Sequence, residues 1–344
     1  MRHGAKRNDA PQTRGFPLPR ETPDQQRRAL SRAASGEAGR VARAALALLV
    51  ALATPAAADT AFVTNQSDGI VGLIDLATGE TTASIEVGGQ PAGIAVAPDG
   101  SFALAVSPGS KRVTRIEGAQ ATGHLTLDGG PLGIALTPDG RSAWVADWYG
   151  ARLWRLDAAT LAITGEAKVG ESPSGVAVTP DGTLVVSADR DSNQISILDP
   201  DGRRLATVPT GERPFGISIH EGRAYTADVG SNTVTVIDLA TREAVGTVPV
   251  GERPYAVAFA NGRGFATNQY ADSVTVFDLK TLAPVATVDV GEYPEGIALA
   301  SEGIVVANWF SNTLSVIDPK TLEVVAEHET GDGPRAFGAF IRAD

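Results

Sequence analysis

Any chemistry on this chain must come from acids, arginines and aromatic side chains, because the usual catalytic atoms are scarce. The 344 residues contain no cysteine and four histidines. Without cysteine there is no disulfide, thiolate metal site, Cys nucleophile or c-type haem attachment. No serine sits in a G-x-S-x-G elbow between a strand and a helix. What recurs is a loop motif, Pro-x-Gly/Ala led by a glycine two or three residues upstream, with prolines at Pro91, Pro131, Pro173, Pro214, Pro254, Pro294 and Pro334. The residue after each proline differs every time: Ala92, Leu132, Ser174, Phe215, Tyr255, Glu295 and Arg335. Acids recur nearby at Glu171, Glu212, Glu252, Glu292 and Asp332. Calcium would need several of their oxygens at one point, and solvated loop acids are the commoner outcome. No metal site and no catalytic residue is assigned.

These loops connect short runs rich in Val, Ile, Thr and aromatic residues, each bounded by Gly, Asn, Asp or Pro, which is a strand-and-turn pattern. One run repeats seven times: AFVTN from Ala61, FALAV from Phe102, AWVAD from Ala143, LVVSA from Leu184, AYTAD from Ala224, GFATN from Gly264 and IVVAN from Ile304. A period of roughly 40 residues is the length of one four-stranded propeller blade. The predicted fold is therefore all-β, a seven-bladed propeller spanning 59–344 as one domain. The chain enters the repeat at a second strand and ends on RAFGAFI (335–341), so Ala336–Ile341 is expected to pair with Ala61–Asn65. That pairing would supply the missing inner strand of the first blade and cover two open edges.

Antiparallel order places the Pro-x-Gly/Ala loops and the loops between strands two and three on the same face, the top. The loops on a rigid scaffold are where recognition is usually written. The top face should collect Trp148, Tyr149, Phe215, Tyr255, Tyr270, Tyr293, Trp309 and Phe310 beside Arg213, Arg253 and Arg335. Aromatics and arginine are enriched in binding hot spots, and these eleven are the candidate ligand-binding residues. The plainer alternative is that several rings plug the channel or pad the blade interfaces. The Asn or Asp closing the repeated run (Asn65, Asp147, Asp228, Asn268, Asn308) suggests ligand atoms, but its recurrence around the ring suits local backbone bonding better.

The runs VTN, ATN and VAN, followed by VxVID and VGxxPxGIAxxPDG, resemble the YVTN-repeat β-propeller family, over nearly all of 59–344. The resemblance implies an exported or surface protein and leaves the activity open. Propellers similar to streptogramin lyase carry a His directly after the loop proline, and no such His stands here. His124 and His328 fall in fourth-strand runs at the outer rim, and His220 ends an inner strand, so a His general base is missing from the top face.

At the N-terminus, Arg40 and Arg43 precede an apolar run over Ala44–Ala53, followed by Pro55-Ala56-Ala57-Ala58. This reads as a signal peptide over 41–58 cut after Ala58, and the run is half the ~20 residues a membrane span needs. Residues 1–40 have a disordered composition, and a start at Val41 would make a compact signal, so Met1 reads as a mis-assigned start. Removing residues 1–58, which carry 10 of 29 basic and 4 of 40 acidic residues, leaves a net charge of −17. Such a surface repels phosphate backbones and disfavours nucleic acid as a partner. The expected protein is a periplasmic or secreted monomer without a cofactor, binding a small molecule or a periplasmic protein. Two alternatives stand beside it: a lactonase- or lyase-like enzyme using top-face Glu and Arg, and an accessory of a periplasmic redox or cofactor-assembly system.

Overall fold

A computed structural model describes residues 58–343; the proposed signal peptide and the segment before it fall, but for Ala58, outside the described residues. Seven β-sheets follow one another along the chain. Blade three shows the pattern: Pro131–Leu136 is the inner strand, then Ser142–Asp147, Arg152–Asp157 and the outer Ile163–Lys168. Each strand pairs antiparallel with the next. Blades four to seven repeat this from the inner strands Pro173–Val178, Pro214–His220, Pro254–Ala260 and Pro294–Ala300. The chain is thus a seven-bladed β-propeller of four-stranded antiparallel blades. Among the described residues no helix is long and apolar enough to cross a membrane.

Burial follows strand position. The second strands are closed in on both faces by neighbouring blades and are buried nearly throughout, as in Thr60–Asn65 and Gly303–Asn308. They read as Ala, Val, Phe and Thr without alternation, as expected of a strand covered on both sides. Outer strands such as Thr81–Glu86 and Pro284–Asp289 turn Thr, Glu, Val and Asp to solvent and bury a single side chain, Ile85 or Val288. The core lies between blades: Phe62, Leu73, Ile94, Ile116, Leu314 and Phe340 form one cluster joining blades seven, one and two. Trp144, Trp154, Tyr225, Phe265, Phe277 and Phe340 are completely buried, each worth about 1.5–3 kcal/mol of transfer free energy.

The glycine two residues after the loop proline has a steric cause. A Cβ on Gly133 would strike the backbone carbonyl of Ser174, and one on Gly216 the carbonyl of Tyr255. These are post-proline residues of the next blade, so glycine allows the inner strands to close tightly about the channel.

Ring closure occurs, in a more divided form than expected. Ile341–Arg342 pairs antiparallel with Thr60–Ala61, Phe62 N donates to the Phe340 carbonyl, and Pro334 bridges to Asn65. Between these anchors Phe337–Ala339 leaves blade one and pairs in parallel with Gly93–Ala95 at the inner edge of blade two. The expected continuous pairing of Ala336–Ile341 with Ala61–Asn65 is therefore corrected. The segment has two residues more than the equivalent stretch in blade five, where Ile219 pairs with Ala224. The surplus is taken up inside the channel, with Gly338 at φ 125° allowing the departure.

Candidate functional site

In six of the seven blades backbone hydrogen bonds tie the strand-two–three loop to the Pro-x-Gly/Ala loop, among them Trp148 N to Gly130, Val229 N to Arg213, Gln269 N to Arg253 and Trp309 N to Tyr293. Both loop classes therefore share one face, as strand parity requires. The residue before the proline takes a left-handed conformation in five non-glycine cases: Gln90, Ser172, Arg213, Arg253 and Tyr293, at φ 50–60°. That turn sends the post-proline side chain toward the channel.

The post-proline residues meet there. The Phe215 ring lies 4.6 Å from Tyr255 and 5.3 Å from Phe337, and Tyr255 and Phe337 are 5.3 Å apart edge to face. Three rings, from blades five and six and the closing strand, form a plug across the channel. Ser174 Oγ donates to the carbonyl of Phe215 at 2.8 Å, and Thr64 Oγ1 to that of Ala92 at 2.9 Å, tying adjacent blades together. Beside the plug, Arg335 Nε donates to Glu295 Oε2 at 2.6 Å, and its Nη2 to Glu295 Oε1 at 3.2 Å and Tyr255 OH at 2.8 Å. Gln269 Nε2 donates to Glu295 Oε1 at 2.9 Å. The Glu295 side chain is 3% exposed and that of Arg335 17%. Burial raises the Glu295 carboxyl, working against Arg335, and burial lifts the Tyr255 phenol well above its ordinary value. Burial also opposes the Arg335 charge, yet the adjacent carboxylate holds this guanidinium above its usual range. The pair is ionic and closed on itself.

Two cavities with no common lining residue lie on either side of the plug. Below it, the channel holds about 450 Å³ between inner strands, lined by Ile134, Val176, Ile217, Ile297 and Phe337 among others. Above it, a pocket of about 400 Å³ opens to the top. Its walls are Trp148, Tyr149 and Leu132, with Phe215 and Arg335 toward the plug and Gln66, Gln90 and Lys111 supplying polar groups. Trp148 stands 6.1 Å from Phe215, and the Arg190 guanidinium lies over its ring at 5.4 Å. Tyr149 is 83% exposed. Lys111 makes no ion pair among the described residues.

The eleven residues expected at one mouth thus divide. Trp148, Tyr149, Phe215, Tyr255 and Arg335 surround the channel entrance. Tyr270, Tyr293, Trp309 and Phe310 form a separate strip over blades six and seven, with centroids 5.6, 5.7 and 5.0 Å from Tyr293 to the other three. Arg253 joins this strip, 4.5 Å above the Tyr270 ring. Arg213 is exposed on the top rim and lines neither the mouth nor the strip. The pocket residues Gln66, Gln90, Lys111 and Leu132, and the plug residue Phe337, were not among the expected set. For Leu132 the signal is positional: successive post-proline residues, some 40 apart, are neighbours around the ring, which also sets Glu295 beside Arg335.

The recurrent Asn/Asp positions are structural. Asp228 accepts from Thr226, Thr233 and Thr235 at 2.8, 3.1 and 2.6 Å. Asn268 Oδ1 accepts from Gly251 N at 3.0 Å while Nδ2 donates to Ser273 and Thr275. Asp228 and Asn268 thus hold their blades' hairpins together, whereas the equivalent Asn65 makes no side-chain hydrogen bond. Among the described residues no group of three His, Asp or Glu is arranged to hold a metal ion.

No family model matches the chain, and no curated protein matches it. Solved structures do. Kuenenia stuttgartiensis hydrazine synthase aligns with a TM-score of 0.66 at 20% identity, covering 74% of this chain and 91% of that one. A functionally unknown protein from Desulfotomaculum acetoxidans DSM 771 aligns with a TM-score of 0.69 at 14% identity, covering 81% and 99%. At these identities the likeness is one of fold: the chain is similar to both in being a β-propeller.

Proposed function

We propose that this chain is an exported, non-catalytic binding propeller of the YVTN-repeat type that takes its ligand at the upper mouth. The observation that carries the reading is the 400 Å³ pocket above the plug, aromatic on one side and polar on the other. Small-molecule sites have this make-up and a volume of roughly 300–1,000 Å³. Trp148, Tyr149 and Phe215 offer flat faces to a planar or π-rich group. Lys111 and the two amides offer donors to an anionic or carbonyl substituent. Arg335 plays a smaller part than its type suggests, because Glu295 already engages its charge. The same pair weighs against the enzyme reading, since its natural acid and base are locked together under the mouth. The accessory reading draws no support from the hydrazine synthase likeness, which extends to fold alone.

Native mass spectrometry of protein purified from periplasm tests the proposal. The parent is expected to carry a bound mass that Trp148→Ala and Lys111→Ala lose, at unchanged melting temperature. A parent that carries nothing, or variants that retain the mass, would sink it.

A further inference from the structure

The aromatic strip over blades six and seven bounds a cavity of its own, about 440 Å³ in volume, distinct from the mouth. Tyr270, Tyr293 and Phe310 wall it, and Glu252, Asp272 and Glu292 supply its charge. The arrangement is built by equivalent positions of two blades. Tyr270 N donates to the Glu252 carbonyl and Phe310 N to the Glu292 carbonyl, so each ring stands beside one acid. Tyr293, held at φ 58° with its N–H on Asp272 Oδ1 at 2.9 Å, sets its ring between the other two. Tyr270 and Phe310 are 51% and 59% exposed, a large aromatic area for a soluble surface to leave bare.

We propose that this cavity is a cage for a small organic cation, a quaternary or methylated ammonium ion. Ring faces attract a diffuse positive charge through their quadrupole. The Arg253 guanidinium over Tyr270 shows one ring already so used, from outside the cavity lining. Three carboxylates against that single arginine leave the surroundings negative. A metal ion is the wrong occupant, because it needs several oxygens at about 2.3–2.6 Å and these carboxylates do not converge. A bulky cation needs no convergence: its methyl groups touch the rings while the acids act over a longer range. This inference does not depend on the mouth being a binding site.

The probe is choline, set against its neutral isostere 3,3-dimethylbutan-1-ol, with binding followed by calorimetry and by Trp309 emission. Saturable choline binding, at least tenfold tighter than the isostere, is expected. Tyr270→Ala and Phe310→Ala should each weaken it about two- to fivefold, whereas Tyr270→Phe keeps it. The double variant Glu252→Gln, Glu292→Gln should weaken choline and leave the isostere unaffected. Trp148→Ala at the mouth should change nothing here. Both side chains are exposed, so these variants should fold, and thermal melting checks that they do. Equal affinity for choline and isostere, or no saturation at millimolar choline, overturns the proposal.

Discussion

Arg335 grips both carboxylate oxygens of Glu295, a residue of the preceding blade, and carries Tyr255 of the blade before that on its remaining edge. Three successive post-proline positions are thereby joined beside the channel. Removing one partner of a buried pair leaves an uncompensated charge, at a cost of about 3–5 kcal/mol. Arg335→Ala should therefore lower stability strongly in urea unfolding, although the residue sits in a loop. Replacing both charges, with Glu295→Leu and Arg335→Met, should restore most of the loss. A single variant as stable as the parent would mean that water already screens the pair.

Asp228 gives a pH signature. Burial raises its carboxyl from 3.8 to about 6, outweighing the hydroxyls that favour ionisation. The folded state thus holds a proton that the unfolded state releases, so this group's contribution falls as pH rises from about 4 to 6 and is flat above. Asn already does the same work at Asn268 and Asn308. Asp228→Asn should remove that slope and be up to about 3 kcal/mol more stable than the parent at pH 8. Parallel stability–pH curves for the two proteins would refute this.

Ring closure should dominate thermal stability. Phe340 is fully buried in the cluster joining blades seven, one and two. Phe340→Ala should cost about 3–5 kcal/mol, and deletion of residues 335–344 more, visible as a lowered Tm. A truncated chain that melts with the parent would contradict the closure described above.

The tight inner ring makes a steric prediction. Gly216→Val would push a side chain against the Tyr255 carbonyl, with a cost of about 1–3 kcal/mol for overpacking. Gly222→Ala is the control for a bottom turn: its added Cβ meets nothing within 4 Å, and only its left-handed φ of 75° resists. Gly216→Val should also disturb the plug and so change Trp148 emission, which Gly222→Ala should not.

The blades were legible in the sequence because each repeats the same solution to the same burial problem. Seven copies of a buried second strand, an exposed outer strand and a proline loop cannot be confused with chance alternation. Strand parity alone sets Trp309 and Arg335 on one face. What parity could not give was distance from the axis. Residues after the proline meet at the axis, as Phe215 does in the plug, whereas strand-two–three loop residues divide between the mouth, as Trp148 does, and the outlying strip, as Phe310 does. The division of the last strand was equally hidden. RAFGAFI stands at the inner-strand place after its proline, and only the two surplus residues, placed against Ala61, force Phe337 into the channel.

The seam has a consequence for biosynthesis. Ala336 N donates to Thr64 Oγ1 across 272 residues of chain. At synthesis rates of about 5–20 residues per second, the first blade waits tens of seconds for the strand that completes it. Until then its second strand, wholly apolar but for Thr and Asn, has one bare edge. A nascent chain therefore carries an open first blade for that whole interval, and a holding factor that caps a free strand edge would protect it.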